Sequence, residues 1–245
     1  MNPSTVEALF VYPSIAVHIP DSVYETYSAS QTDQSAKLKE IFDHHTHAED
    51  FVSEWRLLKS DTDTAADRIV ESARCADIVV MASGDADADS AAHVRLVEAV
   101  IRYAGRPLVV APSTFDDATL GQSILIGWNG TREATRAAHD ALGLLQNGDK
   151  AHILRVNDAK HHGDNDSTSS DLAAAFARHG VDTTLVQKIW EKQGVGAALN
   201  KEAFEKGADM IAIGAFGHSR AYDFVIGAAT RDLLKDSKLP VLFSR

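Results

Sequence analysis

ADMIAIGAFGHSRAYDFVIGAATRDLLKDSKLPVLFS (208–244) is the stretch of sequence that decides the fold. Its near-continuous apolar run, MIAIG (210–214), is typical of a strand buried on both faces of a sheet. Glycines then interrupt the chain before a helical pattern begins, and the stretch ends in a short apolar run led by Pro240. The order predicts a strand at 209–214, a loop, a helix at 227–236 and a closing strand at 240–244.

The same pattern occurs earlier in the chain. AADRIVESARCADIVVMAS (65–83) aligns with AALNKEAFEKGADMIAIGA (197–215), so that Ala76 matches Ala208 at an offset of 132 residues. Helical patterns alternate with short apolar runs in both halves, which is typical of parallel strands joined by helices. The repeat therefore predicts an α/β protein with two tandem doubly wound parallel-sheet domains, 1–118 and 119–245.

The second half is complete. From QSILIGWNG (122–130) to the end, five strands alternate with four helices, and Thr131 is placed to cap the first helix. The remaining expected elements are a helix at 132–145 ended by Asn147 and Gly148, a strand at 150–158, a helix at 171–180, a strand at 183–190 and a helix at 194–206. Residues 159–169 are polar and show no pattern.

The first half lacks its opening strand and helix. Its first strand, VEALFVYP (6–13), matches the second strand of the later half, and only five residues precede it. Because the opening strand of a doubly wound sheet usually lies in the middle, its loss predicts a gap. The start could be truncated or misassigned, or another segment could fill the gap.

Composition narrows the functional class. The formal net charge of −11 argues against binding to nucleic acid or to an anionic membrane. The single cysteine, Cys75, excludes an intrachain disulfide and fits a reducing compartment. No signal peptide pattern precedes the first strand. We therefore expect a cytoplasmic protein.

The loop GAFGHSRAYDFVIGAAT (214–230) is the candidate binding site. A glycine at a strand end lets backbone N–H groups approach an anion, and a helix N-terminus adds further donors. Polar and positively charged side chains accompany the glycines, namely His218, Ser219, Arg220 and Thr230. On spacing alone, a tight strand–helix connection without a ligand is an equally good interpretation.

The stretch resembles the universal stress protein family, whose nucleotide-binding members carry G-x2-G-x9-G-[S/T]. This chain has Gly214-x2-Gly217-x9-Gly227 followed by Ala228, and ILIGWNGT (124–131) is similar to that family's opening strand and turn. The resemblance covers 119–245 well and 6–112 weakly. It implies a Rossmann-like, adenine nucleotide alpha hydrolase-like fold in a tandem two-domain member, acting in nucleotide binding or regulation under stress.

The resemblance also implies a set of binding residues. ATP, ADP or AMP, which Mg²⁺ could accompany, would be held in the second half. The implied residues are Asn129, Val156, Gly214, Gly217, His218, Arg220, Gly227, Ala228, Ala229 and Thr230. Two of them depart from the family pattern: Asn129 replaces an acidic residue, and Ala228 replaces a hydroxyl residue. Thr230 could compensate for the missing hydroxyl.

The first half is expected not to bind nucleotide at the equivalent position. DADAD (85–89) places three carboxylates where phosphates would lie, and like charges repel. The first half would then have a structural role, pairing with the second.

Three functional interpretations remain open. The first is a stress-response protein that binds an adenine nucleotide and acts as a homodimer or as an intrachain pseudo-dimer, with protein partners unknown. The second is an interaction module without nucleotide, acting through the short, Pro-led closing strands at sheet edges. The third is an adenylating-type enzyme. We identify no catalytic residue and expect at most weak ATP hydrolysis, since no G-x-S-x-G elbow or general base is found.

The other residues that could bind a metal, react or stack on a base are better explained by structural or surface roles. Two groups of histidines could bind a divalent ion: residues 44, 45 and 47, and residues 161 and 162 beside Asp164 and Asp166. A polar surface explains both groups better. We expect Cys75 to be a packed or half-buried thiol and Trp55 and Trp190 to pack in a core or an interface. Trp128 should pack beside the site, with stacking on adenine as the alternative.

Overall fold

A computed structural model of the chain describes residues 5–13, 21–60, 65–84, 90–116, 119–157, 167–189, 194–216 and 227–245. Contacts divide the chain into two compact units, Asn2–Ser72 and Ala73–Arg245, the latter together with Met1. Each unit has its own sheet. Within the described residues, no helix is both long and apolar enough to cross a membrane.

The smaller unit is built on two parallel strands. Strand β1 (Thr5–Pro13) pairs along its whole length with β2 (Val52–Ser60). Helix α1 (Asp21–Thr46) connects them, and α2 (Ala65–Ala73) follows. The Trp55 ring packs on Phe42 with centroids 5.9 Å apart, which confirms the expected packing role of Trp55.

The larger unit contains a seven-stranded sheet. From the first half of the repeat come β3 (Val79–Ala82), α3 (Ser90–Tyr103) and β4 (Leu108–Ala111). The second half supplies β5 (Ser123–Gly127), α4 (Arg132–Leu142), β6 (Lys150–Asn157), α5 (Ser167–Arg178), β7 (Asp182–Ile189), α6 (Val195–Lys206), β8 (Met210–Gly214), α7 (Ala228–Asp236) and β9 (Val241–Ser244). The strand order is β3-β4-β9-β8-β5-β6-β7. The α/β class with parallel-dominated sheets is as predicted.

The closing strands of the two halves pair with each other. β4 and β9 run antiparallel, whereas every other strand pair of this sheet is parallel. If each half formed a separate sheet, its closing strand would lie at the edge of that sheet. Neither edge is open in this chain, so the expectation that these strands offer sheet edges for partners is corrected.

The gap predicted in the first half is present. In the second half, β5 pairs with β8 on one side and with β6 on the other. The first-half equivalents of β8 and β6 are β3 and β1, and they lie in two separate sheets. Among the described residues no strand pairs with both of them.

One carboxylate anchors the entry to β5. Asp209, just before β8, accepts hydrogen bonds from the backbone N–H groups of Gly121 (3.1 Å), Gln122 (2.8 Å) and Ser123 (3.3 Å). Its repeat equivalent, Asp77, instead forms an ion pair with Arg106 at 3.3 Å. The two equivalent aspartates therefore have different partners among the described residues.

Two helix boundaries differ from the prediction. α4 ends at Leu142, with Gly143 as its C-cap, and not near Gly148. Leu144 and Leu145 extend the apolar pattern because they pack against the core outside the helix. α5 begins at Ser167, inside the segment expected to have no structure. Residues 158–166 lie outside the described part of the chain.

Candidate functional site

The candidate site lies where the strand order reverses. From β5 the chain proceeds through β6 to β7, and then returns to the other side of β5 as β8. In open parallel sheets, ligands bind at such a switch point, outside the carboxyl ends of the strands. The turn after β5, the end of β8 and the start of α7 belong to this edge.

Asn129 organises the turn after β5. Its Oδ1 accepts hydrogen bonds from the backbone N–H of Thr131 (3.1 Å) and from Thr131 Oγ1 (2.7 Å). Thr131 Oγ1 in turn accepts from the N–H of Ala134 and caps α4, as predicted. Gly130 between them has φ +73°, which glycine adopts without strain. Asn129 therefore has a structural role that is independent of any ligand.

Trp128 belongs to the core. Only 8% of its surface is exposed, and its indole Nε1 donates a hydrogen bond to Thr168 Oγ1 at 3.1 Å. Its backbone N–H donates to the carbonyl of Leu154 on β6. The packing interpretation of Trp128 is confirmed, because its ring offers little surface on which a base could stack.

Packing explains Gly214 at the end of β8. A Cβ at this position would lie less than 3.0 Å from the backbone of Glu133 and Ala134 in the first turn of α4. The absence of a side chain lets the helix approach the strand. Gly214 is thus required by the fold whether or not an anion binds.

Phe216 continues the chain in an unusual conformation. It is the one non-glycine residue with positive φ (+66°) in the described part of the chain. The guanidinium of Arg102, from α3, lies 4.6 Å from its ring centroid, and that of Arg245 lies 5.4 Å away. These contacts link the first half to the start of the candidate loop. No sequence pattern indicated them, because they join residues far apart in the chain.

Helix α7 begins at the same edge. Gly227 is its N-cap, with φ −61° and ψ 150°, and makes no side-chain capping bond. Ala228 is exposed and Ala229 half-buried, whereas Thr230 is buried at 2% exposure. Thr230 Oγ1 would lie 3.9 Å from a Cβ at Gly227, so the hydroxyl is near the N-cap of α7. That it compensates for the missing hydroxyl at residue 228 stays a prediction.

Val156 lies near the carboxyl end of β6 and is half-buried. The last register pair between β5 and β6 joins Gly127 to Leu154, so Val156 extends beyond the end of β5. That position places it beside the turn that carries Asn129.

Several predicted residues lie outside the described part of the chain. They are Gly217, His218, Ser219 and Arg220 of the candidate loop, the DADAD run at 85–89, His161, His162, Asp164, Asp166 and Trp190. Within the described residues, no group of three or more His, Cys, Asp or Glu side chains could hold a metal ion.

The interpretation of Cys75 as a packed thiol is wrong, since its side chain is exposed. Helix α2 ends at Ala73, and Cys75 lies in the turn that leads to β3. The helical pattern was extended past the real end of the helix, although the repeat aligns Cys75 with Gly207, the C-cap of α6.

A polar cluster of residues on β5, β6, β7 and α6 was not predicted. His152, 7% exposed, lies with its Nε2 3.3 Å from Ser123 Oγ. Burial lowers the pKa of His152, Lys206 and Lys150 lower it further, and Glu202 opposes them. Glu202, 3% exposed, pairs with Lys188 at 2.8 Å, and this contact raises the pKa of Lys188. Lys188 is the register partner of Val156, so the cluster extends along β7 to the carboxyl end of the sheet.

The universal stress protein family model matches residues 121–245, and the chain belongs to that family. A universal stress protein from Archaeoglobus fulgidus DSM 4304 has a similar structure, with a TM-score of 0.74 and 15% identity over 99% of this chain and 86% of that one. A putative universal stress protein from Pseudomonas aeruginosa UCBPP-PA14 gives a TM-score of 0.56 at 13% identity, over 97% and 92% of the two chains.

At a lower TM-score of 0.41, a universal stress protein in complex with cAMP matches 52% of this chain and 98% of that chain at 19% identity. No curated protein matches the chain. The structural likeness extends over both halves, so the tandem Rossmann-like fold of the family is shown for the whole chain.

Proposed function

We propose that this universal stress protein binds an adenine nucleotide (ATP, ADP or AMP) in its second half. The ligand would lie outside the carboxyl ends of β5 and β8, with its phosphates at the N-terminus of α7. The role proposed for this binding is regulatory. Mg²⁺ would accompany the phosphates.

The proposal rests on the presence of a glycine at position 227, the N-cap of α7. Its φ of −61° suits any residue, so backbone conformation does not explain the glycine. Among the described residues, the one atom within 4 Å of an added Cβ would be Thr230 Oγ1, at 3.9 Å. Among the described residues, packing therefore requires a glycine at position 214 but sets no such requirement at position 227. Beyond the preference for glycine over alanine at an N-cap, a close approach of phosphate to the backbone supplies a reason for this glycine, supported by the positive end of the α7 dipole.

Asn129 and Val156 would contact the ribose or the base. Both lie at the carboxyl ends of adjacent strands, on the β6 side of the switch point. Asn129 brings no charge, and its Oδ1 already accepts two hydrogen bonds from Thr131. We therefore expect the nucleoside to be held more weakly than by a carboxylate, and the phosphates to dominate affinity.

Calorimetric titration with ATP and ADP tests the proposal. Gly227→Ala should lower affinity at least about tenfold while costing about 1 kcal/mol or less of stability, because alanine is only a poorer N-cap. Gly143→Ala is the matched control: Gly143 also lies at a helix boundary with ordinary φ (−64°), at the opposite end of α4. Absence of heat for the unaltered chain at millimolar nucleotide, or equal affinities for both variants, would contradict the proposal.

The interaction-module interpretation is less well supported. It relied on the closing strands as open edges, and β4 and β9 occupy each other's edges. We propose that this pairing makes the chain an intrachain pseudo-dimer in the cytoplasm, with no need of a second copy at those strands. A sedimentation experiment that found obligate dimers would contradict this part of the proposal.

A further inference from the structure

We propose that Arg102 and Arg245 bind the phosphate chain of the ligand at the carboxyl edge of the sheet, with the ring of Phe216 holding both guanidinium groups. The inference rests on the proposed function for the identity of the ligand as a nucleotide. It adds that the first half of the repeat supplies a binding residue, Arg102, to the second half. The two arginines would then set a preference for long phosphate chains over short ones.

Phe216 and Arg245 reach this edge as direct continuations of two neighbouring strands. The last register pair of β8 and β9 joins Gly214 to Ser244. The backbone N–H of Ala215 then donates to the carbonyl of Ser244 at 2.8 Å, which continues the pairing by one residue. Phe216 and Arg245 come next in their segments, so both lie just beyond the carboxyl ends of parallel strands.

Arg102 reaches the same edge because the closing strands pair antiparallel. It lies in the last turn of α3, which leads into β4. Leu108, the first residue of β4, pairs with Phe243 near the carboxyl end of β9. The start of β4 and the end of α3 therefore lie where β8 and β9 end. The pairing of the two halves thus places an arginine of the first half at the candidate site of the second.

Phe216 adopts a backbone conformation that is costly for a residue with a side chain. Its φ of +66° lies in the left-handed region, which glycine adopts without a steric penalty. Strain of this kind is typical of binding sites. The guanidinium groups of Arg102 and Arg245 lie 4.6 Å and 5.4 Å from the ring centroid. The ring therefore makes two contacts that a glycine at this position could not make.

The two guanidinium groups concentrate positive charge in a chain whose formal net charge is −11. Arg102, Phe216 and Arg245 are each half-buried, so the cluster is not sealed inside the core. Like charges against one ring repel, and an anion with several charges offsets that repulsion. Guanidinium groups bind phosphate through paired hydrogen bonds. A phosphate chain at the N-terminus of α7, which begins at the same edge, has this chemistry.

The first half of the repeat lacks this cluster. Gly84 is the counterpart of Phe216 at the offset of 132 residues, and Pro112 is the counterpart of Arg245 at the offset of 133. Neither counterpart has an aromatic ring or a charge. The counterpart of Arg102 is a lysine, which has no ring at residue 84 to pack on. The cluster is therefore specific to the half in which we propose that nucleotide binds, and the repeat alone does not account for it.

Calorimetric titration with ATP and AMP tests the inference. Arg102→Gln should weaken ATP binding at least about tenfold and AMP binding about threefold or less, because the lost charge acts mainly on the longer phosphate chain. Arg102→Lys keeps the positive charge and should retain most of the preference for ATP. Arg95→Gln is the matched control, since it removes an exposed arginine from the same helix and should leave both affinities unchanged.

Arg245→Gln is a second variant and should also reduce the preference for ATP over AMP. Damage to the fold alone would lower both affinities together and would leave their ratio unchanged. Unchanged affinities, or equal losses for the two nucleotides in both variants, would overturn the inference, whereas the proposed nucleotide binding would stand.

Inorganic tripolyphosphate separates this inference from the proposed function, because it carries the phosphate charge without the nucleoside. The unaltered chain should bind it, and Arg102→Gln should weaken that binding at least about tenfold. The same loss in a chain that gave no heat with ATP would support the arginine site and contradict the nucleotide. Binding of neither probe by the unaltered chain would overturn both proposals.

Discussion

Val109 and Leu242 face each other in the antiparallel ladder between β4 and β9. They are also equivalent positions of the repeat, since Pro107 aligns with Pro240 at an offset of 133 residues. The same offset matches Leu108 with Val241 and Val110 with Phe243. It therefore exchanges the two neighbouring register pairs, Leu108–Phe243 and Val110–Val241. A local two-fold axis therefore passes through the Val109–Leu242 pair and relates the closing strands of the two halves.

This pair should be energetically coupled. Leu242 is 0% exposed and Val109 2%, so Leu242→Ala should cost about 2–5 kcal/mol of unfolding free energy. Because the two side chains are cross-strand neighbours, the double variant with Val109→Ala should depart from additivity by about 0.5–3 kcal/mol. Urea denaturation of the four proteins measures both quantities. Leu185→Ala, at a half-exposed position, is the control and should cost about 1 kcal/mol or less. Strict additivity would place the symmetry axis elsewhere.

The second half alone should dimerise. A fragment of residues 119–245 retains β5 to β9, but it lacks β4. The edge of β9 that β4 occupies in the full chain is therefore unpaired in the fragment. Because the intrachain pairing is already antiparallel about Leu242, a second fragment can offer the same edge to form a symmetric pair. Sedimentation equilibrium should show a dimer for the fragment. A fragment that is monomeric would show that the closing strand needs no partner, and would support 119–245 as a self-contained domain.

The elements of the second half follow from local sequence signals. Strands β7 and β8 and helices α6 and α7 begin and end within one or two residues of the expected positions, because hydrophobic periodicity and helix-terminal residues act locally. The same reasoning misplaces the end of α4, since Leu144 and Leu145 are buried for tertiary reasons. The missing opening unit of the first half was visible in the repeat, because a fixed offset compares distant segments directly.

Sequence patterns did not predict the long-range contacts at the site. The motif singled out Gly214 and Gly227 together, but only the position of α4 shows that packing accounts for the first. Likewise, the contact of Arg102 with Phe216 joins residues that no pattern relates. Sequence patterns nominate residues for the carboxyl edge of the sheet, and the packing around Gly214 shows which requirement is structural.

Gly214→Ala should destabilise the fold before it affects binding. The added Cβ would meet the backbone of α4 at less than 3.0 Å, and backbone cannot move aside as a flexible side chain can. We expect a loss of about 1–3 kcal/mol, typical of overpacking. Thermal denaturation measures it, with Gly227→Ala as the matched control because its Cβ has room. If both variants were equally stable, α4 would have to lie farther from β8 than it does here.

Asn129→Asp should strengthen the turn after β5. A carboxylate would accept the same hydrogen bonds from Thr131, now charge-assisted, and would lie at the positive end of the α4 dipole. The expected gain is about 0.3–1 kcal/mol of stability at neutral pH. If the nucleoside binds here, affinity for ATP should rise as well. Calorimetry separates the two effects, and higher stability with unchanged affinity would move the ribose away from residue 129.

Protonation of His152 should destabilise the protein at mildly acidic pH. Burial, together with the positive charges of Lys206 and Lys150, holds the pKa of His152 below its ordinary value, against the opposing carboxylate of Glu202. The unfolded chain therefore binds a proton that the folded chain excludes. Stability is retained above the unfolded-state pKa of about 6.5 and is lost as the pH falls towards the lower folded-state pKa. Among the described residues, Nδ1 of His152 has no hydrogen-bond partner to offset the cost.

His152→Gln should reduce this acid sensitivity, because glutamine does not titrate and can still bond to Ser123 Oγ. The measurement is the urea midpoint between about pH 7.5 and pH 5. His179→Gln removes an exposed histidine and controls for the general effect of losing a titrating group. If the two variants had parallel pH profiles, the acid sensitivity would arise from carboxylates elsewhere, and the buried imidazole would titrate as it does in water.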